Sequence, residues 1–181
     1  MSDALTDPQA VSALRSVAHP VRIRILSLLT AQAMSAAEVA RELELTHANA
    51  SYHLRVLHEA GELVVESEEK IRGGRAKRYR YVVVDAPAVG APATNEDRIA
   101  YVHAIASDVT RRQAQHHRGT GQMSDIETWV APEVWEEAVG LLRQASDLLH
   151  GRAAAPRAPG TKHVSASLFA FEMQDGTEDP A

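Results

Sequence analysis

The chain has 181 residues, with 19 Lys and Arg against 24 Asp and Glu, nine His and no Cys. That length suits one medium domain or two small ones with a real core, and the missing cysteine excludes disulfides, thiolate metal sites and cysteine nucleophiles. No stretch approaches the roughly 18 apolar residues of a membrane span, and the opening MSDALTDPQAV lacks a basic-then-apolar leader, so the reading is a cytoplasmic protein with no membrane partner.

Val11, Leu14, Val17 and Ala18 form one stripe of a short helix that ends at His19-Pro20. Pro20 then opens a helix over 20–30, where its missing N–H costs nothing, with Val21, Ile25, Leu28 and Leu29 inward and Arg22 and Arg24 outward. Ser35 and Glu38 have the spacing of a capping box for a third helix, whose buried stripe is Val39, Ala40 and Leu43. Glu44-Leu45-Thr46 is a connection of helix-turn-helix length, and Thr46 caps a fourth helix that runs to about Glu59 and stops near Gly61. Strands at 63–66 and 76–84, joined by a turn at Gly73-Gly74, complete a hairpin. The Pro/Ala/Gly-rich stretch 85–94 is a linker, followed by a long helix over 95–118 that Thr94 and Asp97 open. A strand at 124–130, a helix from Pro132 to Gly151, a second linker at 152–162 and a strand at 163–173 make a small β-α-β unit. The fold class is mainly α with a β-hairpin wing (α+β): a winged helix-turn-helix over 8–84, then a dimerisation helix and an α/β extension over 95–173. A frayed, disordered tail over 174–181 ends it.

The net charge of −5 is an average over two unlike parts. Residues 1–84 carry 11 basic and 10 acidic side chains, whereas 85–181 carry 8 and 14. Residues 70–80 (KIRGGRAKRYR) hold six cations and no anion, and clustering of this kind is the footprint of a phosphate-binding surface. On the fourth helix Ala50, His53, Leu54 and Leu57 face the core, which leaves His47, Ala48, Ser51, Tyr52 and Arg55 on the opposite side. Small residues, hydroxyls and one cation are what a helix needs to approach a major groove. Arg72, Arg75 and Lys77 then lie at a glycine-permitted hairpin tip that can reach backbone or minor groove.

These segments together resemble the ArsR-type group of bacterial winged-helix repressors. The likeness rests on Pro-x-Arg-x-x-Ile-Leu at 20–26, Ser-x-His-Leu-x-x-Leu at 51–57, Ala60-Gly61, and Gly-Arg-x-x-x-Tyr at 74–79, and covers about residues 8–84. It implies a dimeric repressor of transcription that binds double-stranded operator DNA through His47, Ala48, Ser51, Tyr52 and Arg55. The family's thiolate sensors carry cysteines where this chain has Met34 to Ala40. Its other metal site does not match the spacing of Asp97, His103, Asp108 and His116-His117. No metal or other cofactor is expected.

On the long helix, Ile99, Val102, Ala106 and Val109 form an apolar stripe, with Tyr101 and Ile105 beside it. One winged domain does not cover all of it, which points to a homodimer seam matching two operator half-sites. His53 reads as a hydrogen-bonded packing residue rather than a ligand, and His116-His117 with Arg111, Arg112 and Arg118 as a solvated, dipole-compatible helix end. Both Trp and both Phe lie in the C-terminal unit: Trp129, Trp135, Phe169 and Phe171. They read either as filling for a small core or as lining for a small-molecule effector. An alternative to operator binding is a winged-helix module for protein–protein contact. An enzyme is not indicated, since there is no phosphate loop, H-E-x-x-H or G-x-S-x-G.

Overall fold

The computed structural model describes residues 14–71, 74–81, 94–115 and 121–173. Residues 14–17 form a helical turn, followed by α1 (Pro20–Leu29), β1 (Met34–Ser35), α2 (Ala36–Leu43) and α3 (His47–Glu59). The chain continues through β2 (Leu63–Ile71), β3 (Gly74–Tyr81), α4 (Asn95–Gln113) and α5 (Pro132–Gly151). The architecture is therefore mixed: helices with one small antiparallel sheet, in the order β1-β3-β2.

The core is built where the helical stripes converge. Ile25 and Leu29 of α1, Val39 of α2, and Ala50, Leu54 and Leu57 of α3 are fully buried together with Leu63 of β2. Each large aliphatic side chain removed from water contributes about 1.5–3 kcal/mol, so these few residues supply most of the domain's driving force. Helix ends follow local chemistry. The Ser35 hydroxyl accepts from the Glu38 N–H (3.4 Å) while the Glu38 carboxylate accepts from the Ser35 N–H (2.7 Å), closing the expected capping box. Glu44 ends α2 in the left-handed region (φ 56°), and Leu45 N–H returns to the Ala40 carbonyl at 2.9 Å, which turns the chain toward α3. Gly61 (φ 81°) does the same after α3 with no steric cost.

Two features of this domain go beyond what the pattern indicates. The two-residue strand β1 pairs with β3 (Met34 opposite Tyr79, Ser35 opposite Arg78), so β3 is central rather than an edge. β2 is also longer than expected and carries a bulge: Val65 faces Tyr79 and Ser67 faces Arg78, which leaves Glu66 as the extra residue.

α4 packs on α1. Its inward side holds Asp97, Ala104, Ile105 and Asp108, and Tyr101 packs against the core. Tyr101 and Ile105 therefore belong to the face that the domain covers, not to the free stripe. Asp108 is buried because Arg111 (2.8 Å) and Arg112 (3.1 Å) pair with it one turn later.

The C-terminal unit departs from expectation. Pro132–Gly151 is helical as read, with Pro132 in the first turn. No strand forms at 124–130 or 163–173 and neither joins the sheet, so the β-α-β unit is not present. The alternating pattern of those segments meets no neighbouring strand among the described residues, and α5 has no buried residue. The linker at 85–93, residues 116–118 and the tail over 174–181 lie outside the described residues.

Candidate nucleic-acid interface

α3 is the best-defined surface element. Thr46 accepts from the Asn49 N–H (3.2 Å), fixing the first turn, and Leu54 and Leu57 anchor the opposite side in the core. That leaves His47, Ala48, Tyr52 and Arg55 exposed and Ser51 half-buried on the outward stripe, the side on which the sequence places them. None of these five side chains makes an intramolecular hydrogen bond or ion pair; Tyr52, 56% exposed, stacks edge-on against His53 at 5.3 Å and interacts electrostatically with Arg22.

The hairpin is less simple. Read alone, 70–80 is a block of cations; folded, it lies opposite Glu66, Glu68 and Glu69 of β2. Arg75 pairs with Glu68 (2.9 Å) and Arg80 with Glu66 (3.0 Å). Arg78 pairs with Glu38 (2.9 Å) and Glu69 (3.5 Å) and donates to the Ala33 carbonyl at 2.7 Å. Arg78 is thus a structural tie between the central strand and the α2 cap. Burial pushes the Glu38 carboxyl up, but the Ser35 N–H and hydroxyl and the Arg78 guanidinium outweigh it and hold it below the usual range. Arg75 remains accessible (side chain 73% exposed), and Lys77 is exposed with no ion pair. The described hairpin holds five cations (Lys70, Arg75, Lys77, Arg78, Arg80) and three carboxylates, so a net positive charge survives the pairing. Arg72 lies outside the described residues.

Beside α3 sits a cluster that the pattern of apolar residues does not reveal. His19 caps α1, its Nδ1 accepting from the Val21 N–H at 3.1 Å, and its ring lies 4.9 Å from that of His53. Arg22 adjoins them, more covered than its outward assignment implied. Its Nε and the Nδ1 of His53 are buried without a hydrogen-bond partner. His53 does pack inward, but through ring contacts rather than hydrogen bonds. Burial first, and then the Arg22 charge, lowers the proton affinity of His19; burial, His19 and Arg22 do the same to His53. The only advance signal was His immediately before Pro, which is a weak one because His is not a favoured cap.

On α4, Ile99, Val102, Ala106 and Val109 all stay exposed, on the side opposite the face packed against α1. Of the aromatic four, Trp135 is half-buried, whereas Trp129 (86% exposed), Phe169 and Phe171 are open to solvent. They do not enclose a pocket. Among the described residues no three His, Asp or Glu side chains group to hold a metal ion, and no helix is long and apolar enough to cross a membrane.

Against known proteins, residues 17–66 match the model of a helix-turn-helix domain, which is 50 of the 181 residues. An uncharacterized HTH-type transcriptional regulator of Methanocaldococcus jannaschii is 40% identical over 63 residues, 35% of this chain. The chain spans 64% of that relative's length. The α1–α3 unit and the start of β2 are therefore similar to a helix-turn-helix domain and to part of a transcriptional regulator.

Proposed function

We propose that the chain is a homodimeric, sequence-specific DNA-binding transcriptional regulator, a repressor of the ArsR-type winged-helix group. In this reading α3 enters the major groove with His47, Ala48, Ser51, Tyr52 and Arg55. The β2–β3 hairpin acts as the wing, with Arg72, Arg75 and Lys77 on the backbone or in the minor groove. Ile99, Val102, Ala106 and Val109 of α4 meet their copies across a two-fold axis, which sets two recognition helices on successive half-sites.

One observation carries the proposal: a helix anchored in the core presents an outward, mostly polar stripe whose side chains make no hydrogen bond or ion pair within the chain, next to a net-positive hairpin. The charge of the hairpin would supply affinity and the stripe of α3 selectivity.

Footprinting of the full chain on the DNA upstream of its own gene tests the proposal. Protection of two half-sites about one helical turn apart is the expected result. Arg55→Ala should weaken protection about tenfold or more, by roughly 1–3 kcal/mol for a lost base contact. No protected site, or protection unchanged by Arg55→Ala combined with Arg75→Ala, would refute it.

A further inference from the structure

We infer that the free face of α5 is covered by α5 of a second copy of this chain, packed antiparallel across a two-fold axis. Val134, Leu141 and Leu148 are seven residues apart and so share one side of the helix, where they are 50%, 58% and 52% exposed. Ala138 and Ala145 lie between them on the same side and are also exposed. Trp135, Val139 and Leu142, on the neighbouring side, are half-buried, so the seam is the apolar part of the helix left open among the described residues. Of the eighteen exposed large apolar side chains among the described residues, sixteen lie at or beyond Ile99. An apolar stripe of this kind along one helix is the mark of an interface.

The shape and charge of the seam select the occupant. It is a convex helix face, not a cavity, and offers a small molecule nothing to be enclosed by. A membrane surface is disfavoured because the polar side of α5 begins with Glu133, Glu136 and Glu137, which anionic headgroups repel. The charges suit the helix itself run backwards. Of the charges on or beside the seam, Glu133 and Glu137 lie at its first end and Arg152 at its last, whereas Glu136, Arg143 and His150 lie on the far side of the helix. Antiparallel pairing brings the Arg152 end of one copy to the Glu133 end of the other and aligns the helix dipoles favourably; parallel pairing sets carboxylates against carboxylates. It also places Leu141 against Leu141, Val134 against Leu148 and Ala138 against Ala145, so that small residues meet small ones and the backbones approach closely.

This inference needs no DNA and stands apart from the α4 seam. Because the chain has no cysteine, single cysteines report on it without background. The full chain is prepared as Leu141→Cys, Val134→Cys and Leu148→Cys and oxidised mildly. Leu141→Cys should shift to a disulfide-linked dimer. Val134→Cys and Leu148→Cys should each stay unlinked alone but link when mixed. Ala138→Cys mixed with Ala145→Cys should repeat that result without removing a large side chain, and light scattering should give twice 19.6 kDa. Self-linking of Val134→Cys would show parallel pairing and overturn the inference. A dimeric mass with none of these cysteines linked, or a monomeric mass, would overturn it too.

Discussion

Residues 14–81 and residues 121–173 are similar in apolar content and opposite in what they do with it. In the first region three helices and a sheet converge, and Ile25, Leu29, Leu54, Leu57 and Leu63 vanish from the surface. In the second a twenty-residue helix with a broad apolar side buries none of its residues. The difference lies in connection length. Short turns at Glu44 and Gly61 return the chain onto itself, so that each stripe finds another. The segments flanking α5 form no strand and join no sheet among the described residues. Polar contacts tie this arm to the rest of the molecule: Arg112 donates to the Ser165 and Ser167 hydroxyls (2.7 and 3.1 Å), and Arg157 to the Glu42 carboxylate (2.9 Å). Exposed pairs of this kind contribute about 0–1 kcal/mol each, far less than a buried core.

The largest test of the contrast is a matched pair of truncations. Leu54→Ala should cost the helix-turn-helix domain about 2–5 kcal/mol in urea unfolding. Leu141→Ala should leave that transition within about 0.5 kcal/mol, since its side chain is 58% exposed, and should lower the dimer population instead. Equal losses would mean that the two regions share a core. A smaller effect is expected at the tie between sheet and cap. Arg78→Ala removes charge-assisted bonds to Glu38 and the Ala33 carbonyl and should cost about 2 kcal/mol by the same measurement.

Smaller again is the strain at the helix-turn-helix turn. Glu44→Gly relieves a left-handed side chain and should stabilise the domain by about 1 kcal/mol, whereas Gly61→Ala should destabilise it by a similar amount. The last of the series is a pH effect confined to the first region. His19 and His53 face each other, Arg22 and Tyr52, and their folded-state pKa values lie below the ordinary 6.5. The unfolded chain therefore binds protons first on acidification. Stability is full above about pH 6.5 and is lost as the pH falls through the folded-state values. Melting temperature should decline between pH 7 and pH 5, and His53→Leu should flatten that decline; an unchanged slope would remove the cluster from the account.

How much of this was legible in the sequence follows the same division. The helix-turn-helix could be read because capping residues and apolar spacing agree at every step: Ser35 with Glu38, Thr46 with Asn49, Leu54 with Leu57. The outward stripe of α3 followed by subtraction. Partners distant in sequence were not legible. The carboxylates of β2 that answer the cations of β3 depend on strand register, and β1 exists only because Met34 and Ser35 meet Tyr79 and Arg78. The strands expected at 124–130 and 163–173 failed for the converse reason, since alternation records a face without saying that another strand lies beside it.

The central claim is that α3 and the hairpin form one phosphate-contacting surface, and its most direct test is the salt dependence of duplex binding by the full chain. The logarithm of affinity should fall linearly and steeply with the logarithm of salt concentration. Arg75→Ala together with Lys77→Ala should reduce that slope by about 2, one for each lost phosphate contact. Binding that ignores salt, or a slope that the double substitution leaves unchanged, would contradict the account.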